Sequence, residues 1–131
     1  LKTYLNNNKQ PIFNYVLGIY GHIPYYRNKN ERPDIIIPNI ENKDIKNISN
    51  QFYYRTKALA KYIDTILELD PNSIILISSD HIPAILNKDI QYKFDKHVNI
   101  SLLIYKGKSI DISTKHQYEV PWFIWDLISD K

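Results

Sequence analysis

"SIILISSDHIPAIL", residues 73–86, decides how the rest of the chain is read. Residues 74–78 are apolar or small and spell a buried strand. The chain then runs straight into Asp80 and His81, followed by Ile82 and Pro83. A carboxylate next to an imidazole at a strand end has two readings. One is a structural pair, with Asp80 capping a turn and His81 hydrogen-bonded. The other is a metal site, because carboxylate oxygen and imidazole nitrogen together suit zinc or manganese.

Upstream, "SNQFYYRTKALAKYIDTILELDP" predicts a helix capped by Ser49 or Asn50. Phe52, Leu59, Ile63 and Ile66 fall at helical spacing and make one apolar stripe. Pro71 ends it, since proline lacks an amide proton and clashes with the preceding turn. Further upstream, "PIFNYVLGIY", residues 11–20, is apolar on both faces, as a strand inside a parallel sheet would be. The segment between, rich in proline and asparagine, predicts a long irregular loop with a short extended piece at residues 35–37. The opening "LKTYLNNNKQ" reads as a fraying helix end or a loop. Downstream, "NISLLIYKG" is a strand closed by a glycine-containing turn, and "VPWFIWDLISDK" is a short buried helix opened by Pro121. Helices alternating with apolar strands predict an α/β fold with a mostly parallel sheet flanked by helices.

The bulk composition excludes several classes. At 131 residues the chain fits one domain on the prior of ~100–200 residues each. The net charge is +3, with lysines scattered among acidic residues, so there is no basic face for nucleic acid. Without cysteine there are no disulfides, zinc fingers or thiol nucleophiles. No apolar run approaches the ~18 residues of a membrane span. The chain contains no methionine and begins at Leu1, which predicts a piece of a longer protein.

In open α/β sheets, ligands bind beyond the carboxyl ends of the strands. Asp80 and His81 lie at that end of one predicted strand, and His22, in "GIYGHIPYY", at that end of another. Arg27, Lys29 and Arg32 follow in the loop and suit an anionic head group, or are simply solvated. Tyr25 and Tyr26 either stack on a sugar or pack the loop. Trp122 and Trp125 are read as core, and His97 as a surface residue.

Four segments in order resemble the alkaline phosphatase-like superfamily. "SSDHIPAIL" resembles its "SDHG" segment, and "FNYVLGIYGHIPYY" its strand and "His-x-Pro-Tyr" turn. "YYRTKALAKYIDTILEL" is similar to its helix, with "Tyr-x-Asp" at Tyr62 and Asp64. "NISLLIYKGKSIDISTKHQYEVPWFIWDLI" resembles its closing strand, loop and "Asp-x-x-Pro-Thr" helix. The branch most resembled is the sulfatase type, with lipoteichoic acid synthases, phosphoglycerol transferases and phosphoethanolamine transferases. The resemblance implies that residues 1–131 are the C-terminal portion of such a catalytic domain. The N-terminal portion, with the hydroxyl nucleophile and an acidic metal ligand, would be absent; Thr3 is wrongly placed to be that nucleophile.

By the same resemblance, Asp80 and His81 bind a divalent metal, zinc or manganese, completed by ligands outside this chain. His22 contacts the transferred group or the leaving oxygen, and His116, near where the family's last segment approaches the metal edge, contacts substrate; Arg27 is read as a substrate contact from its place in the loop alone. The implied activity is transfer of phosphoglycerol or phosphoethanolamine from a phospholipid to a glycan or lipid acceptor. The setting would be the bacterial cell envelope, on the periplasmic or extracellular face of the inner membrane, with an upstream segment in the membrane. Sulfatase or phosphodiesterase hydrolysis is the alternative, and a non-catalytic binding module with a degenerate site the second. The departures are Ile82 and Pro83 where the family usually has glycine, often then glutamate, a late aspartate that is replaced by Glu119 or lost, and Trp122 in place of its threonine. The isolated chain is expected to be inactive and able to dimerise through an exposed sheet edge.

Overall fold

The computed structural model describes residues 2–7, 10–18, 22–39, 41–85, 90, 92–93 and 99–129. In chain order the elements are α1 (Lys2–Asn7), α2 (Lys43–Leu69), β1 (Ile74–Ser78), β2 (Ser101–Tyr105), β3 (Lys108–Ile110) and α3 (Val120–Ser129). The α/β class expected from the sequence is what the chain adopts.

The strand orientation is not the expected one. The described strands form a three-stranded sheet in the order β1-β2-β3, and both pairings are antiparallel. A parallel neighbour needs a crossover, usually helical, to carry the chain back. Among the described residues between β1 and β2 there is no helix, and β2 runs alongside β1 in the opposite sense. Lys106 and Gly107 then take positive φ values of 50° and 70° and close a two-residue hairpin to β3. That backbone matches the twist of the flanking strands, and glycine tolerates it best. The glycine-containing turn is as read, but β3 itself was not expected.

α2 begins earlier than Ser49 or Asn50. Asn42 is its cap, and its side chain accepts from the Ile45 N–H at 3.0 Å, with Asp44 in the first turn. A short polar side chain at this position satisfies an amide that the helix itself cannot. The helix ends at Leu69. Asp70, before Pro71, is pushed out of helical geometry into an extended conformation. Its carboxylate accepts from Asn72 N–H and Ser73 Oγ, making the tight turn into β1.

Asn50 is wholly buried and serves another purpose. Its Oδ1 accepts from the N–H groups of Ile35 and Ile36 at 2.6 and 2.8 Å. Its Nδ2 donates to Ile36 O and Lys46 O at 2.7 and 2.8 Å. Residues 35–37 belong to no strand, and this amide supplies backbone partners that a neighbouring strand would otherwise supply.

The core centres on Leu103, Ile112 and Val120, with Ile74, Ile110, Phe123 and Ile124 packed against it. α3 therefore presents the stripe Val120, Phe123, Ile124 to the sheet, the i, i+3, i+4 spacing of one helix face. The expectation of a buried helix with core tryptophans is corrected here. Three strands cover one stripe only, leaving Trp122 73% and Trp125 63% exposed. The strand expected at residues 11–20 is corrected as far as it is described. Residues 11–18 belong to no strand, and Phe13 is 94% exposed. Asn14 Nδ2 donates to Tyr62 Oη at 3.0 Å and ties this segment to α2. Residues 19–20 lie outside the described residues, as does His97.

Candidate active site

The end of β1 is held by more than its ladder. Ser78 and Ser101 hydroxyls bond across the strands at 2.9 Å. Ser79 N–H donates to Ile100 O at 3.2 Å, and Ile100 N–H donates to Ser79 Oγ at 3.3 Å. Pairing thus persists up to the residue before Asp80.

Asp80 Oδ1 accepts from the His81 backbone N–H at 2.9 Å. His81 Nδ1 lies 2.8 Å from Ile82 O. A carbonyl only accepts, so Nδ1 carries the proton there and the Nε2 position faces away. Nε2 is 3.6 Å from Asp80 Oδ2. Two donors each about 2.1 Å from a tetrahedral zinc stand roughly 3.4 Å apart. The pair is therefore spaced to hold a metal ion between Oδ2 and Nε2, and at 3.6 Å it is not itself a hydrogen bond. A metal-binding histidine commonly donates its other N–H to a carbonyl, which fixes ring and tautomer. The donor set fits a metal at these two atoms. It does not complete one, since among the described residues no group of three such side chains is placed to hold a metal ion.

Backbone N–H groups of His81 and of Asp80 itself hold the Asp80 carboxyl below the usual carboxylate range, with smaller contributions from the His81 and His22 imidazoles. The carboxylate is thus ionised and ready to accept a cation at neutral pH.

His22 reaches the same place. Its ring meets that of His81 edge to face, with centroids 5.6 Å apart. His22, Ile23, Tyr25, His81 and Ala84 line a cleft of 190 Å³. The expected convergence of Asp80, His81 and His22 is present, but two parallel strands do not produce it. A loop brings His22 in, and a through-space fastening holds the loop. Tyr25, only 6% exposed, donates its hydroxyl to Ala84 O, and Tyr92 donates to Pro83 O. Together with Ile82 O under the His81 ring, three consecutive carbonyls after the Asp-His pair each receive an aromatic side chain. Tyr25 is thus a structural fastener rather than a sugar platform. Tyr92 had no signal in the sequence, because its role depends on a backbone acceptor.

Burial pushes both tyrosine hydroxyls up in pKa, Tyr25 also through the neighbouring Tyr92 and Asp44. A folded value raised above the unfolded one contributes stability below about pH 10 that is lost as pH rises through the folded value. The thermal midpoint should therefore fall on alkaline titration above pH ~10, and Tyr25→Phe should blunt that fall while costing about 1 kcal/mol at neutral pH. An alkaline fall identical in Tyr25→Phe would contradict the fastening.

His116 does not border this cleft. It precedes α3, stacks on Tyr118 with centroids 5.4 Å apart, and donates its N–H to Glu119 Oε2 at 2.7 Å. Arg27 does not border it either. Its side chain is 1% exposed, pairs with Asp34, and donates Nε–H to Arg32 O at 2.9 Å.

A family model described as sulfatase matches residues 1–128. The chain belongs to the sulfatase family. This places it in the alkaline phosphatase-like group that the four ordered motifs resemble, and supports a sulfatase- or phosphoesterase-type piece. No curated protein and no solved structure gives a significant match. Among the described residues, no helix of this sulfatase-family chain is long and apolar enough to cross a membrane.

Proposed function

We propose that this chain supplies part of the site of a metal-dependent phosphotransferase of the bacterial cell envelope. The enzyme moves phosphoglycerol or phosphoethanolamine from a phospholipid to a glycan or lipid acceptor on the periplasmic or extracellular face of the inner membrane. Membrane attachment lies in a segment outside these residues. Family membership and the order of the four motifs support the reading. The observation that carries it is the pairing of Asp80 Oδ2 with His81 Nε2 at 3.6 Å beside the His22 ring.

Asp80 and His81 would hold zinc or manganese, with further ligands from outside the chain. Such an ion supplies charge stabilisation at the oxygens of the transferred group. His22 lines the cleft, where an imidazole binds the ester oxygen or gives a proton to the departing one. The Tyr25 and Tyr92 fastenings keep His22 and His81 in register, since small displacements in such a site cost large factors in rate. No residue of this chain is assigned as nucleophile, so these 131 residues alone are expected to be inactive.

Ester hydrolysis is the second reading. The exposure of Asp80 and His81 favours it, because water reaches the cleft directly. Product analysis on the full-length protein with a glycerophospholipid and a glycan acceptor separates the two. Acceptor-linked phosphoglycerol or phosphoethanolamine supports transfer; free phosphate or sulfate released from simple esters with no transfer supports hydrolysis. In either case His22→Ala should lower turnover by ~100-fold or more. Unchanged turnover in both His22→Ala and Asp80→Asn would leave only a non-catalytic module.

A further inference from the structure

A second cleft, of 690 Å³, is also lined by Tyr25. Tyr25 borders both clefts, so they adjoin. Arg27, Lys29, Lys43 and Lys46 line the larger one, against a single lining carboxylate, Glu41. Behind the lining, Asp34 gathers three of these cations. Its carboxylate pairs with Arg27 and lies 3.1 Å from Lys46 Nζ and 3.4 Å from Lys29 Nζ. One carboxylate cannot neutralise three cations, so the cleft keeps a positive excess.

The amino end of α2 enters the same cleft through Asn42, Lys43 and Asn47, adding the positive end of a 27-residue helix. A helix end alone would mean little. The decisive feature is Arg27: its side chain is 1% exposed, and its Nη1 is buried without a hydrogen-bond partner. A buried guanidinium N–H without an acceptor is costly. An oxyanion in the cleft would supply that acceptor, and guanidinium geometry suits sulfate and phosphate oxygens.

We propose that this cleft is a second oxyanion site, which takes a sulfate or phosphate group other than the one that reacts. Resting on the ester-transfer reading above, it selects substrates carrying a further anionic group. His22 and Arg27 are five residues apart, so their Cα atoms lie within about 18 Å of each other.

The test is calorimetric titration of the protein with inorganic sulfate and phosphate, against chloride at equal ionic strength. Lys29→Gln and Lys46→Gln should each weaken binding about tenfold. Glu41→Gln should tighten it, an effect that a merely structural role would not produce. His22→Ala should leave it unchanged. Binding no stronger than chloride, or binding lost in His22→Ala and kept in the lysine variants, would overturn the proposal. A second arm compares esters with and without a further anionic group. Lys46→Gln should raise KM for the former alone, leaving kcat unchanged; an equal rise for both esters would overturn the substrate selection. If the full-length protein turns over no ester, the transfer reading fails, and the calorimetric arm still decides whether the cleft binds oxyanions.

Discussion

Asn50→Ala is expected to destabilise the chain by about 3 kcal/mol, measured as a shift in the urea or thermal unfolding midpoint. The side chain is wholly buried and makes four hydrogen bonds, two in each direction. Truncation leaves the N–H groups of Ile35 and Ile36 and the carbonyl of Ile36 without these partners. Each buried unsatisfied group costs ~1–3 kcal/mol, partly recovered where water enters. Asn50→Asp discriminates further. It keeps an acceptor for both N–H groups but turns a charged oxygen towards the carbonyls of Ile36 and Lys46, so it should also destabilise. A loss below about 1 kcal/mol in Asn50→Ala would show that residues 35–37 are held some other way. Because Arg27, Asp34 and Lys46 sit around the same loop, this variant should also weaken oxyanion binding.

Leu103→Ala should cost about 3 kcal/mol or more. Leu103 is 0% exposed, in the middle strand, opposite Leu76 of β1 and Ile110 of β3. It contacts a core of few members, chiefly Ile112 and Val120. Removing its branched end loses transfer energy and leaves a cavity that flanking strands cannot collapse into, a loss of 2–5 kcal/mol in well-packed cores. Its strand neighbour Leu102 points to the other face and is 40% exposed. Leu102→Ala should therefore cost less than about 1 kcal/mol. Equal losses for the two would mean that the sheet buries the opposite face from the one described.

What could be read from the sequence depends on how local each feature is. β1 and β2 were legible because apolar runs of strand length bounded by polar residues are local signals. α2 was legible from its stripe and from Pro71, but its start was not. The asparagine and lysine density around Asn42 looks the same in a loop and in a capped first turn. β3 was missed because three residues, "KSI", carry no pattern of their own and become a strand only through the hairpin. Parallel orientation was inferred from alternation alone, and alternation does not fix the direction in which a chain returns.

The tryptophans of α3 were read as core from composition. Which face of a helix is covered depends on how much sheet lies beneath it. In the site, adjacency made Asp80 and His81 visible, and the ordered motifs drew His22 to them. The fastening of Pro83 and Ala84 by Tyr92 and Tyr25 was invisible. It joins residues 9 and 59 positions apart through backbone carbonyls that every residue possesses. Ile82 and Pro83 stand where the resembled family usually has glycine, often then glutamate. The structure shows the carbonyls of residues 82–84 engaged and the two donor atoms of the Asp-His pair turned towards each other.

The most direct test of the account is the zinc and manganese content of the full-length protein and of its Asp80→Asn, His81→Ala and His22→Ala variants. The account predicts near-stoichiometric metal in the parent. Asp80→Asn and His81→Ala should each bind metal at least about tenfold more weakly, while His22→Ala keeps it. A parent protein that neither contains nor takes up either metal, or equal content in all four proteins, would contradict it.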